Sequence, residues 1–127
     1  APTTSQYAAV EAMRNGDPDI EHMREEYDSR RRYLVESLNR IGLSCFEPKG
    51  AFYVFPDIRS TGLTSEEFCE RFLLEEKVAV IPGSAFGPGG EGFVRACYAA
   101  SMKDIAEAVA RLDNFLTNLR RKQSKET

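Results

Sequence analysis

Hydrophobic and polar positions follow two periods along this chain, and these periods divide it into helices and strands. Apolar residues recur every three or four positions in several segments, which is the spacing of one buried helix face. Short runs rich in aromatic and β-branched residues lie between those segments and indicate strands. In chain order, the pattern predicts two helices, two strands, a helix, two strands and a final helix.

The first two predicted helices meet at a glycine. Residues 3–6 have the T-x-x-Q form of a capping box, so we expect a helix to start there. Asn15 and Gly16 should end it, since both residues tolerate the left-handed cap conformation. Asp17 followed by Pro18 predicts an N-cap and a second helix that runs to about Arg40. The apolar stripe of this second helix is thin for its length: Ile20, Met23, Tyr27, Leu34, Leu38 and Ile41. Long helices with a thin stripe often join two domains.

A hairpin and a third helix are predicted next. Residues 43–46 and 51–55 are the two candidate strands, with a turn at 47–50 between them. A second capping box, at residues 64–67, opens a helix that should end near Lys77. Its predicted inward-facing residues are Phe68, Phe72 and Leu73.

The last part of the chain predicts two strands and the most regular helix. The strands are expected over residues 78–81 and 93–98, with Pro82 ending the first. Ser101 is the predicted cap of a helix whose polar end, from Arg120, we expect to fray. The apolar positions of this helix are Ile105, Ala108, Val109, Leu112, Phe115, Leu116 and Leu119.

These elements predict an α+β fold. We expect a three- to four-stranded mixed or antiparallel sheet with helices packed on one face, preceded by a long interdomain-type helix. The chain has 127 residues, of which 42% are hydrophobic, so one domain with a real core is expected.

Composition and charge narrow the function classes. A net charge of −3 gives no electrostatic reason to expect nucleic acid or an anionic membrane as a partner. No apolar run approaches the roughly 20 residues of a membrane span, and no secretory signal opens the chain. The three cysteines are far apart, which argues against a disulfide framework and a zinc site. A reducing, cytoplasmic compartment is therefore expected.

Several motifs that could carry chemistry do not fit their usual context. Residues 87–92 match G-x-G-x-x-G, but a strand follows them, whereas a dinucleotide site needs a helix there. We therefore expect a flexible loop whose backbone can approach another surface closely. His22 is the only histidine, and Ser84 does not fit a nucleophile elbow. A lysine that bonds covalently to a carbonyl carbon must be desolvated, and no lysine here is predicted to be buried. With these motifs excluded, we expect no catalytic, cofactor-binding or metal-binding residue in this chain.

Arg95 is the exception. Strand alternation places it on one face with Phe93 and Cys97, and places Val94, Ala96 and Tyr98 on the other face. A buried guanidinium is costly unless it meets an anion, and its planar fork matches a carboxylate or phosphate. An exposed arginine on an edge strand is the alternative. We interpret Arg95 as an anion-binding residue, with a carboxylate as the expected ligand.

Three stretches around Arg95 carry a family resemblance. Residues 48–53 (PKGAFY), 78–87 (VAVIPGSAFG) and 92–95 (GFVR) resemble the small C-terminal domain of class I/II aminotransferases, which have the aspartate aminotransferase fold type. Residues 2–9 and 23–31 resemble the segment after the family's cofactor lysine and its interdomain helix. The resemblance covers nearly the whole chain.

The resemblance implies a divided active site. It implies a remnant helix of the large domain at 1–16, the interdomain helix at 17–41, the small domain at 42–121 and a frayed tail at 122–127. In the family, the arginine at the position of Arg95 holds the substrate α-carboxylate. The cofactor lysine and the phosphate-binding residues belong to the large domain, which would precede this chain.

The full-length parent enzyme would then use pyridoxal 5'-phosphate to move an amino group from an amino acid to a 2-oxo acid. It would be expected to form a homodimer. This chain alone would hold no cofactor and would be inactive.

Two other functions stay open at this point. The chain could be a stand-alone carboxylate-binding or regulatory domain that has lost catalysis. It could also be a structural domain that dimerises through its N-terminal helices.

Overall fold

The computed structural model describes residues 1–124, which form four α-helices and a small sheet. The helices are α1 (Thr3–Asn15), α2 (Asp17–Arg40), α3 (Ser65–Glu76) and α4 (Met102–Gln123). The strands are β1 (Tyr53–Val54), β2 (Ile81–Pro82) and β3 (Val94–Cys97).

The sheet has three strands in the order β1-β3-β2, and both pairs are antiparallel. In the register, Tyr53 lies opposite Cys97 and Ile81 lies opposite Arg95. The central strand β3 is therefore the one that carries the arginine. This arrangement confirms the predicted α+β fold with a small antiparallel sheet.

One face of the sheet packs against the helices. Val94 and Tyr98 point into the hydrophobic core, where Phe115 of α4 is fully buried. The ring of Phe115 contacts the rings of Phe68 and Phe72, with both centroid distances at 5.4 Å. The predicted alternation along β3 is confirmed, and it leaves Arg95 on the face away from the core.

The predicted hairpin is wrong. Residues 43–46 form no strand: the side chain of Asn39 pairs with the backbone of Cys45, and the Ser44 carbonyl accepts a hydrogen bond from the Asp57 amide at 2.8 Å. The Cys45 amide donates to Asn39 Oδ1 at 3.1 Å, and Asn39 Nδ2 donates to the Cys45 carbonyl at 2.9 Å. The second predicted strand is shorter than expected because Ala51 has a φ of 58°, which is incompatible with extended backbone.

The strand predicted over residues 78–81 is displaced toward the loop. It occupies Ile81–Pro82, so Pro82 lies inside the strand that we expected it to end. Because β2 is an edge strand, the missing N–H of a proline is tolerated there.

The N-terminal capping predictions need two corrections. The cap of α1 is Pro2 and makes no side-chain hydrogen bond, while Gln6 Nε2 donates to the Ala1 carbonyl instead. Gly16 is right-handed, with a φ of −80°, and it precedes Asp17, which is the first residue of α2 rather than its cap. A Cβ at Gly16 would lie 2.5 Å from the Ala12 carbonyl oxygen, so the glycine is needed for close approach.

The later helix boundaries follow the sequence more closely. Thr64 and Glu67 form the predicted capping box, and Ser101 caps α4 by accepting from the Asp104 amide. Leu73, predicted to face inward, is instead exposed. The helix α4 runs through Gln123, and residues 125–127, the end of the tail that we expect to fray, lie outside the described part. No helix within residues 1–124 is both long and apolar enough to cross a membrane.

Candidate functional site

Arg95 lies half-buried at the centre of the open face of the sheet. Its guanidinium carbon is 4.3 Å from the centroid of the Tyr53 ring and 4.4 Å from that of Phe86. Within residues 1–124, no side chain or backbone group forms a hydrogen bond or ion pair with the Arg95 guanidinium. The N–H donors of Arg95 are thus available to a ligand.

The other half-buried arginines behave differently. Each of the four has a carboxylate partner at 3.0 Å or less: Arg30 with Glu26, Arg31 with Asp28, Arg71 with Glu75 and Arg111 with Glu107. Among the described residues, Arg95 is the one half-buried arginine without such a partner. The other half-buried guanidiniums of the described residues thus have carboxylate partners, whereas the guanidinium of Arg95, at the predicted anion site, has none.

The glycine-rich loop before β3 crosses over itself. A Cβ built on Gly83 would lie 2.1 Å from the Gly90 carbonyl oxygen, and one on Gly90 would lie 2.0 Å from the Gly83 carbonyl oxygen. The Gly83 amide also donates to the Phe93 carbonyl at 2.8 Å. The close backbone approach that we predicted for this loop is therefore made within the loop itself.

The same loop is joined to the start of α3. The Gly92 amide donates to Ser65 Oγ at 3.0 Å, and the Ser65 amide donates to Glu91 Oε1 at 2.8 Å. A protein carboxylate thus occupies the first amide of α3, and the strand β3 follows the glycines. This agrees with the prediction that residues 87–92 do not form a dinucleotide site.

The side chains of His22 and Ser84 form no hydrogen bond with Arg95 or with each other within residues 1–124. His22 is exposed, and the buried Oγ of Ser84 has no hydrogen-bond partner in the described part of the chain. No group of three or more His, Cys, Asp or Glu residues within residues 1–124 could hold a metal ion.

The lysines of the described residues do not fit pyridoxal phosphate chemistry. A lysine that forms a covalent bond with a carbonyl carbon needs a desolvated pocket to lose its proton. Lys49 pairs with Glu47, and Lys77 donates to the Leu74 carbonyl. All the described lysines are exposed: Lys49, Lys77, Lys103 and Lys122.

A cleft of about 390 Å³ lies between α2 and residues 47–51, apart from the Arg95 face of the sheet. Sequence reasoning did not find it. Arg31 binds both Asp28 and Glu47 there, and it holds the pKa of each carboxyl below its usual range. Since this arginine is already neutralised, the cleft is a poorer anion site than Arg95.

Sequence reasoning also missed the two rings on Arg95. One sequence feature could have indicated these two rings: Tyr53 and Phe86 each lie in one of the stretches that resemble the family. Their meeting at one guanidinium depends on the strand order β1-β3-β2, which no local pattern specifies.

Comparison with known proteins decides the family. Residues 1–112 match the family described as aminotransferase class I and II. The chain belongs to this family. Curated relatives of this aminotransferase chain include the putative aminotransferase YugH of Bacillus subtilis, 53% identical over 91% of the chain and 30% of the relative. An aspartate aminotransferase of Pyrococcus abyssi is 51% identical over 90% of the chain and 30% of its own length.

Solved structures agree with this aminotransferase assignment. The crystal structure of an aromatic aminotransferase from Pyrococcus horikoshii superposes with a TM-score of 0.88 at 48% identity. That match covers 91% of this chain and 31% of the solved one. The chain thus spans about 30% of the length of the relatives that it matches. Their names include both aspartate and aromatic aminotransferases, so the family alone does not specify a substrate.

Proposed function

We propose that this chain is the small domain of a longer aminotransferase and that Arg95 binds the substrate α-carboxylate. The observation that carries the proposal is the unpaired guanidinium of Arg95, in a fold whose other half-buried arginines are all paired within the described residues. Its position in the third stretch of the family resemblance supports the same role.

A guanidinium has five N–H donors in a planar fork, and it can donate two parallel hydrogen bonds to one carboxylate. Hydrogen bonds to charged groups contribute about 1.5–3 kcal/mol each, so such a pair is worth several kcal/mol. Bound in this way, an amino acid or a 2-oxo acid has a fixed orientation relative to the rest of the active site. Arg95 would thus position both substrates of a transamination by the group that they share.

The chemistry itself requires a part of the protein that this chain does not contain. Pyridoxal 5'-phosphate, when bound, supplies the electron sink for amino-group transfer, and the exposed lysines of residues 1–124 do not fit it. We therefore place the cofactor lysine in a large domain, and we expect this chain alone to be inactive. In the proposed division, residues 1–16 belong to the large domain, 17–41 join the two domains and 42–121 form the small domain.

The N-terminal helices offer a surface for that missing domain. Every residue of α1 is exposed, and its apolar side chains include Met13, which is 88% exposed. Five large apolar side chains of α1 and α2 are exposed: Tyr7, Val10, Met13, Ile20 and Met23. Apolar surface of this kind indicates a contact that lies outside the chain. We propose that it packs on the large domain of a cytoplasmic, homodimeric parent enzyme.

The test uses the longer protein, expressed from the gene's complete reading frame. Replacing Arg95 by lysine keeps the charge but removes the bidentate fork. We expect kcat/KM for the amino acid to fall by roughly 100-fold or more, from the loss of several kcal/mol of carboxylate binding. Cofactor content should be unchanged. A variant with wild-type kcat/KM, measured at full cofactor loading, would refute the role of Arg95.

A stand-alone carboxylate-binding or regulatory domain is the second candidate. The observation in its favour is that the core is formed within the chain itself, from residues of α2, α3, α4 and β3. The reading frame separates the two candidates: a frame that encodes no further domain would favour the second.

A further inference from the structure

We propose that Tyr53 and Phe86 are positioning residues that fix the Arg95 guanidinium for in-plane binding of a single carboxylate. This inference rests on the proposed function of Arg95. It adds two residues that neither the family resemblance nor the strand pattern assigns to the site.

The two rings reach Arg95 from different sides of its strand. Tyr53 belongs to β1, and Phe86 lies in the turn that follows β2. Since β3 is the central strand, with β1 and β2 on either side of it, the guanidinium lies between a ring from each neighbour. Both rings lie within 4.4 Å of its central carbon.

This contact differs from the other arginine–ring contacts of the described residues. In those, the guanidinium carbon is 5.4–5.7 Å from the ring centroid: Arg30 with Tyr27, Arg59 with Phe93 and Arg71 with Phe115. Those arginines also have carboxylate partners. Arg95 has the closest rings, and it has two of them in place of an acid.

The contact of Arg95 with aromatic rings, and not with a carboxylate, has a functional consequence. A carboxylate partner would hold the guanidinium still, but it would also occupy the N–H donors and cancel the charge. An aromatic ring attracts the cation through its negative face and leaves those donors unused. Two rings can therefore restrict the motion of Arg95 while its N–H edge and its full charge stay available to a ligand.

The rings are themselves held in place. Phe86 makes an edge-to-face contact with Phe55 at 5.7 Å, and Tyr53 packs on Phe52 at 4.7 Å. The loop that carries Phe86 is fixed to α3 through Ser65. Each positioning ring thus has an aromatic contact besides Arg95, and half of the Phe86 side chain is exposed.

The first arm of the test needs no ligand. In the 15N-labelled chain, the Arg95 Nε–Hε signal is assigned by its loss in Arg95→Lys. We expect this signal to be ring-current shifted and ordered in the wild type and in Tyr53→Phe. It should move toward the free-arginine position and lose order in Phe86→Leu and Tyr53→Leu. Phe46→Leu, at an exposed phenylalanine before β1, is the matched control, and backbone amide spectra verify folding. An equally ordered signal in the Leu variants would overturn the proposal.

The second arm uses sodium pyruvate as the carboxylate probe. We expect its dissociation constant to rise roughly three- to tenfold in Phe86→Leu and Tyr53→Leu, because a guanidinium that the rings no longer hold must be ordered when the carboxylate binds. Tyr53→Phe and Phe46→Leu should bind as the wild type does. In an Arg95→Lys background, Phe86→Leu should have no further effect.

The two arms separate this inference from the proposed function. If the wild type does not bind pyruvate, the role of Arg95 fails in the isolated chain, and the ligand-free arm still decides the positioning. If the wild type binds through Arg95 but the Leu variants bind equally well, the role of Arg95 stands and the positioning proposal is overturned.

Discussion

Replacing Gly90 by alanine should destabilise this fold far more than the same change at its neighbour Gly89. A Cβ on Gly90 would lie 2.0 Å from the Gly83 carbonyl oxygen and 2.5 Å from its carbon, both of them backbone atoms. A Cβ on Gly89 would meet no atom within 4 Å. The two substitutions add the same methyl group to adjacent residues, so their difference isolates the self-crossing of the loop.

The expected size follows from what must move. Overpacking in a tight site costs about 1–3 kcal/mol. Relief of the clash would separate Gly83 from Gly90 and strain two loop hydrogen bonds, from the Gly83 amide to Phe93 and from the Gly92 amide to Ser65. Each such bond contributes about 1 kcal/mol. We therefore expect about 3 kcal/mol for Gly90→Ala and no more than about 0.5 kcal/mol for Gly89→Ala.

Urea unfolding followed by circular dichroism measures this difference, since the chain has no tryptophan. With an m-value of about 1.5 kcal/mol/M, the Gly90→Ala midpoint should fall by roughly 2 M at unchanged m. The Gly89→Ala midpoint should stay near that of the wild type. Equal midpoints for the two variants would show that the crossing of Gly83 and Gly90 does not hold the loop.

Four further predictions concern other parts of the chain. Cys97 is exposed, whereas burial raises the pKa of Cys45 and raises that of Cys69 to about 11, so a thiol reagent at pH 8 should modify Cys97 alone in the folded state. Because folding raises the Cys69 pKa from a usual value of 9.0, the contribution of the buried neutral thiol to the free energy of unfolding should be complete below pH 9 and lost as the pH rises toward 11. A Cys69→Ala variant that loses the same stability in alkali would contradict this. Asn39→Ala should lower the free energy of unfolding by about 1–3 kcal/mol, since it leaves the Cys45 amide and carbonyl unpaired, and an unchanged urea midpoint would count against that explanation. Borohydride treatment of the chain with pyridoxal phosphate should give no stoichiometric adduct at a single lysine by mass spectrometry, and such an adduct would place the catalyst within this chain.

Local signals predicted the elements that depend on local chemistry. The capping box at Thr64 and Glu67 formed because both hydrogen bonds lie within one helical turn. The strict alternation of β3 correctly separated Arg95 from Val94 and Tyr98, since one face of a sheet must cover the core. Both features are decided by neighbouring residues.

Features that depend on distant residues were missed. The hairpin predicted at residues 43–55 is wrong: the backbone of Cys45 pairs with the side-chain amide of Asn39, on the preceding helix, and residues 43–46 form no strand. The rings of Tyr53 and Phe86 meet at Arg95 only because β3 lies between β1 and β2. Sequence patterns located the arginine and its face, whereas the fold was needed to show what holds the guanidinium.

The most direct test of the central claim is a titration of the 15N-labelled chain with sodium pyruvate, monitored at the Arg95 Nε–Hε signal. Two charge-assisted hydrogen bonds without the large domain should give roughly millimolar affinity. We expect a saturable shift of this signal and of backbone amide signals near it. The amide shifts should be absent in Arg95→Ala and should persist in Arg14→Ala, a control at an exposed arginine of α1. An Arg95 signal that stays fixed up to tens of millimolar pyruvate, or Arg95→Ala that binds as the wild type does, would contradict it.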